Sequence, residues 1–210
     1  MYPIQPSVTR TVLDPDDLTG KQGRTMPRAY PDYPYVDPLP ADVTDADMQR
    51  AIDDMLSQNP SLSLRDGAPL DSLCRALNVD VEYSGTPNEI LLDVPLDRKA
   101  VIWLPRNGKP RQDRMALATG IGHWILHVPL TRDVHPKAGI QALYAPRNPR
   151  AMAEAMRFAH LLLMPADAFI SLWYEGRASL VADTLNVPTQ AVYDRAKALM
   201  LTATTEARSA

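Results

Sequence analysis

The sequence predicts an α+β domain, mostly helical, with a small antiparallel sheet of three strands and a helix-turn-helix-like pair of helices towards its C-terminal end. Three observations predict it. Apolar residues recur at helical spacing over most of the second half of the chain. Three short apolar or alternating runs fall between residues 79 and 104, with turn formers between them. The first forty of the 210 residues hold eight of the twenty prolines, which is too dense for any regular element.

In chain order, residues 1–43 read as an extended arm that culminates in Tyr30-Pro31-Asp32-Tyr33-Pro34-Tyr35-Val36-Asp37-Pro38-Leu39-Pro40. A loose or surface-draped tail is the plain reading, and a strap that covers a site or binds a partner is the sharper one. Order is expected to begin at Thr44-Asp45-Ala46-Asp47, a capping-box-like start. Met48, Ile52, Met55 and Leu56 then mark one face of a first helix, ended by Asn59-Pro60. Leu70, Leu73 and Leu77 mark a short second helix that stops near Asn78.

The strands are expected at Val79–Tyr83, Glu89–Val94 and Lys99–Leu104. Further helices are expected over about 112–128, 149–163, 165–175, 179–185 and 189–201, with Thr189 capping the last. The organisation is thus an arm over 1–43, a domain over 44–178, a helix pair over 179–205 packed on the same domain, and a short tail over 206–210.

Composition narrows the function classes. A net charge of -3 gives no general pull towards nucleic acid or anionic lipid. One cysteine, Cys74, excludes an internal disulfide, and its place among leucines reads as a core position. The first residues lack a charged segment followed by an apolar one, and no apolar run reaches the length of a membrane span. A cytoplasmic protein is the expectation. The last helix pair offers Gln190, Arg195 and Lys197 against Asp194, a thin charge for reading DNA, so two packing helices are the expected role and direct nucleic-acid binding is disfavoured.

One stretch carries chemistry. In Ala118-Thr119-Gly120-Ile121-Gly122-His123-Trp124-Ile125-Leu126-His127, residues 119, 123 and 127 are spaced four apart, so Thr119, His123 and His127 share a helix face. Glu154 heads the apolar face of a later helix, and a carboxylate placed there needs a partner. Two histidines on one helix and a glutamate from the next are the ligand set of many zinc sites. Yet a working H-E-x-x-H helix has its first histidine and its general base where this chain has Thr119 and Gly120. The hydroxyl is a poor zinc donor, and glycine has no proton acceptor. Loss of the base alone costs on the order of 10²- to 10⁴-fold in rate.

The stretches Arg111 to His127 and Glu154-Ala155-Met156-Arg157-Phe158-Ala159-His160-Leu161-Leu162-Leu163-Met164-Pro165 resemble the two motif helices of the ImmA/IrrE family of H-E-x-x-H metallopeptidases. The likeness extends over roughly residues 44 to 201 and implies a zincin-like domain. It places His123 at the second zinc histidine, Glu154 at the third ligand, Thr119 at the lost first histidine and Gly120 at the lost base. In this family's geometry Glu154 is expected to face the earlier turn, not His127, and a His123–Glu154 hydrogen bond is the alternative to a shared metal. The resemblance therefore implies a degenerate protein with no catalytic residue and most simply no cofactor. It would act by binding a protein partner through the groove at Thr119, His123, His127 and Glu154. Active members inactivate helix-turn-helix repressors of bacteria, phages and mobile elements, which makes such a repressor the expected class of partner. The alternatives are a zinc endopeptidase with a rearranged site of His123, His127 and Glu154, and a DNA-binding regulator using residues 180–201.

Overall fold

The computed structural model describes residues 32–201 apart from 63, 65, 66, 85–88 and 107. The first part of the arm and the tail at 206–210 lie outside the described residues. The rest of the arm does not. Structure begins before Thr44, with a two-residue strand β1 (Tyr35–Val36) on the sheet edge.

Helix α1 (Asp45–Ser57) starts at the predicted capping box, in which Thr44 Oγ1 accepts from the Asp47 N–H at 3.2 Å and the Asp47 carboxylate accepts from the Thr44 N–H at 3.0 Å. Its buried face is Met48, Ile52 and Met55. Helix α2 (Asp71–Ala76) is short and ends as Asn78 turns the chain at a φ of 56°, a left-handed conformation that asparagine tolerates. The chain passes at once into β2 (Asp80–Ser84), followed by β3 (Ile90–Val94) and β4 (Val101–Pro105).

A long helical path follows. It consists of α3 (Pro110–Gly122), a π-helical turn (His123–His127) and α4 (Val128–Val134), where the sequence suggested a single helix ending near Val128. Strand β5 (Gly139–Leu143) returns to the sheet. Then come α5 (Pro149–Leu163), α6 (Ala166–Glu175), α7 (Ala178–Leu185) and α8 (Thr189–Ala198). Pro188, not Thr189, holds the cap position of α8, and no side chain caps that end.

The α+β class is as expected, but the sheet is not three antiparallel strands. It has five strands in the order β1-β5-β3-β4-β2 among the described residues. Strand β3 is antiparallel to both neighbours, β2 pairs parallel with β4, and β1 pairs parallel with β5. The chain from β2 to β3 crosses β4, so β2 ends on the outer edge and runs the same way as β4.

The core lies between the sheet and the helices behind it. Ile102, Leu92 and Ile140 meet Ile121, Phe158 and Leu162, all essentially without solvent exposure. Helices α3 and α5 cross at Gly122, where a Cβ would lie 2.9 Å from the Ala155 carbonyl oxygen. Glycine is what lets the two backbones approach so closely. Val181, Leu185, Val187 and Val192 of the last helix pair join the same core. No single helix among the described residues is long and apolar enough to cross a membrane.

Candidate functional site

The central helical path winds as a π-helix through His123-Trp124-Ile125-Leu126-His127, and the Val128 N–H reaches back five residues to the His123 carbonyl. Pro129 supplies a local reason. It has no N–H for the carbonyl four residues earlier, and its ring crowds that carbonyl. A wider turn just before it lets the helix continue through α4 instead of stopping. The winding also sets the direction of His127. This histidine is fully buried and its ring meets α5.

Three side chains form a row. His127 Nε2 lies 2.9 Å from Glu154 Oε2, and His127 Nδ1 lies 3.0 Å from His123 Nδ1. Glu154 therefore faces His127 and not the earlier turn, which corrects the sequence expectation, and it makes no direct bond to His123. Burial pushes the Glu154 carboxyl up, but hydrogen bonds from the Ala41 N–H, His127 and the Asp42 N–H outweigh burial and hold it below the usual carboxylate range. It is thus ionised, and His127 donates to it from Nε2. Burial keeps the His127 pKa low despite that carboxylate, so the ring is neutral and its bare Nδ1 accepts from the His123 Nδ1–H. His123 is driven down to about 3, first by burial and then by His127. Its proton sits on Nδ1, and its buried Nε2 is left with a bare lone pair and no hydrogen-bond partner.

Glu154 is also a docking point for the arm. Its Oε2 accepts from the Ala41 N–H at 2.8 Å and its Oε1 from the Asp42 N–H at 3.0 Å. Asp42 has a φ of 53°, and this turn aims two successive N–H groups at one carboxylate, a backbone nest for an anion. Nothing in the sequence marks Ala41 and Asp42 as partners of a residue more than a hundred positions away.

Thr119 and Gly120 sit at the end of α3. The Thr119 hydroxyl donates to the Met115 carbonyl at 2.9 Å, bonding back along its own helix. Gly120 is buried under β4. A Cβ built on it would stand 2.9 Å from Ile102 Cγ2 and 3.0 Å from Cγ1 and Cδ1. No gap remains beside Gly120, because Ile102 fills it.

Other candidates resolve simply. Cys74 is buried, and burial pushes its thiol up to about 11, so it is a core residue. Arg195, counted above as a basic residue of a DNA-reading helix, is buried and donates from Nε to the Met164 carbonyl at 3.1 Å.

A mixed sheet backed by a helix with paired histidines, and a second helix bearing a glutamate against them, define a zincin-like, metallopeptidase-type domain. Within that class the profile of the M78 peptidases, the IrrE N-terminal-like domain, matches residues 74–197, and the chain belongs to this family. No curated protein matches the chain.

Zinc is the metal the family implies, and the residues as arranged do not fit it. A catalytic zinc takes three protein donors converging on one point. Here the His127 ring stands between its neighbours and spends one nitrogen on each, Glu154 spends both oxygens on backbone N–H groups, and the Thr119 hydroxyl is tied to Met115. Of the ring nitrogens in the row, His123 Nε2 is the one left without a hydrogen-bond partner. Among the described residues no group of three or more His, Cys, Asp or Glu is gathered as a metal ion requires.

Proposed function

We propose that this chain is an ImmA/IrrE-like protein that acts by holding a protein partner and not by cleaving a peptide bond, and that its role is the regulation of a transcriptional repressor of a bacterium, phage or mobile element. Substrate binding and transition-state stabilisation are separable, so a groove can outlive its chemistry. The observation that carries the reading is the packing of Ile102 against Gly120, which occupies the space beside the position of the missing base. The ring-to-ring contact of His127 with His123, and the commitment of Glu154 to the arm, support it further.

A second reading, a zinc endopeptidase with a rearranged site, is favoured by one observation. His123, His127 and Glu154 are contiguous, within 3.0 Å of one another in sequence along the row. Direct DNA binding through residues 180–201 loses support, since Arg195 is spent on Met164 and Gln190 on Asp194.

The test is co-purification of the full chain with a helix-turn-helix repressor, combined with metal analysis. The expected result is an intact partner and far less than one zinc per chain. Stoichiometric zinc that disappears in His123→Ala, or a partner cleaved by the wild-type chain and spared by that variant, overturns the reading.

A further inference from the structure

The segment from Tyr33 to Val43 is held on the domain largely by its backbone, with side-chain contacts from the Tyr33 hydroxyl to Asp97 at 2.6 Å, from the Tyr35 ring to Gly139 and from the Asp42 carboxylate to Arg150. The Gly139 N–H donates to the Pro34 carbonyl at 2.9 Å, and Tyr35 and Val36 pair in parallel register with Gly139 and Ile140. Further on, the Leu39 N–H donates to Thr131 Oγ1 at 2.9 Å, and the Ala41 and Asp42 N–H groups donate to the two oxygens of Glu154. No side chain from Tyr33 to Val43 is fully buried; each is half-buried or exposed. Lifting it away uncovers the edge of the core at Val36 and Val43 but withdraws no fully buried side chain. Extended peptides are recognised in this way, by adding a strand to a sheet edge through main-chain hydrogen bonds.

The fit is incomplete at one point. His123, whose Nε2 is buried without a hydrogen-bond partner, lines a narrow cleft of about 10 Å³ together with Asp37 and Pro38. That volume is at the lower limit for one water. Pro38 has no N–H to offer the lone pair. A buried acceptor left without a donor costs free energy, so the segment satisfies the groove everywhere except over the central histidine.

We propose that residues 34–42 are the resident occupant of a peptide-binding groove formed by β5, Thr131, His123 and Glu154, and that an extended segment of the partner takes the same place once this strap leaves. The inference rests on the partner-binding reading above. The partner segment presents a carbonyl to the Gly139 N–H, two successive N–H groups to Glu154, and a residue other than proline opposite His123. Two states follow, a closed one in which the strap fills the groove and an open one competent for the partner. Apparent affinity then scales with the open fraction.

The experiment uses the full chain and a labelled synthetic peptide of residues 33–43. Asp42→Pro removes one donor to Glu154 and forbids the positive φ, while Asp42 itself is exposed. In the wild type, amide exchange is slow at Leu39, Ala41, Asp42 and Gly139. In Asp42→Pro, exchange rises at Leu39, Ala41 and Gly139 while α5 and β3 stay protected, and the peptide binds at least about tenfold tighter than to the wild type. Ala41→Pro, which removes the other donor, behaves in the same way. Equal peptide affinity for wild type and variants overturns the inference, as does continued slow exchange at Leu39 and Gly139. Unfolding of both variants also overturns it, because the segment would then be an integral part of the fold. If a repressor binds the wild type and both variants equally, the strap inference fails and the partner reading stands. If the peptide discriminates but no form of the chain binds a repressor, the partner reading fails and the strap stands.

Discussion

The Ile102 side chain of β4 stands where a Cβ on Gly120 of α3 would have to go, leaving less room than a methyl group needs. The sheet therefore leaves no free space for a side chain at position 120. Two opposite effects meet there. Alanine gains about 1 kcal/mol over glycine in a helix interior, and overpacking a filled core costs about 1–3 kcal/mol.

Gly120→Ala is therefore expected to destabilise the wild-type chain by about 1 kcal/mol, and to stabilise an Ile102→Ala chain by about the same amount. The change of sign is read from urea unfolding of the four members of a double-mutant cycle. A gain in both backgrounds would mean that Ile102 yields without cost. Gly120→Glu alone should be worse than Gly120→Ala and should restore no proteolysis, since neither the space nor the first histidine is present.

Glu154 makes the second prediction. Glu154 accepts from three N–H donors, Ala41, Asp42 and His127. Replacing it by glutamine turns one oxygen into an NH₂ that faces a donor. Hydrogen bonds to a charged group are worth about 1.5–3 kcal/mol, so Glu154→Gln is expected to lower stability by about 2–3 kcal/mol. Unchanged denaturant midpoints would show that the carboxylate is not an anchor.

These two relationships also mark what the sequence could not convey. The limits of α5, the Thr44–Asp47 capping box and the buried face Met48, Ile52, Met55 were legible, because each depends on residues within a few positions of one another. The candidate residues were legible too, as motif positions. Their partners were not. Ile102 against Gly120, Ala41 and Asp42 on Glu154, and Tyr35 over Gly139 join segments far apart in the chain. Strand β5 had a signal, the alternation of Ile140 and Ala142 with Gln141, but it is five residues long and lies between helices. Strand β1 sits among prolines, which a short edge strand tolerates. The π-turn left its trace only in Pro129, which reads equally well as a helix stop.

Arg195 separates a structural from a DNA-reading role for α8. Its guanidinium is buried and bonded to the Met164 carbonyl at the end of α5. Arg195→Met should cost about 1–3 kcal/mol through the carbonyl left unpaired, as read by thermal unfolding. Lys197→Ala, on the same helix, should be neutral within about 0.5 kcal/mol. Binding of DNA by the wild type that Arg195→Met abolishes without loss of stability would reverse the assignment.

The last prediction concerns pH. His123, His127 and His160 are all held below the ordinary histidine value, in each case first by burial, and His123 is held at about 3. In the unfolded chain each takes up a proton near pH 6.5. Between that value and its own lowered one, the unfolded state binds a proton that the folded state does not. The stability from each neutral histidine is therefore fully present above about pH 6.5 and is lost as pH falls, by at most about 1.4 kcal/mol per pH unit for each residue. Glu154, lowered in the fold, acts in the same direction further down, its stabilisation being lost as pH falls through its folded value. Acidification has no compensating gain among these groups. Urea unfolding at pH 7.5, 6.0 and 5.0 should show a steady decline that begins near pH 6.5, and His160→Gln should make it shallower. A flat profile over that interval would mean that these histidines take up protons in the folded chain, and His127 and His123 would then not be the neutral rings described above.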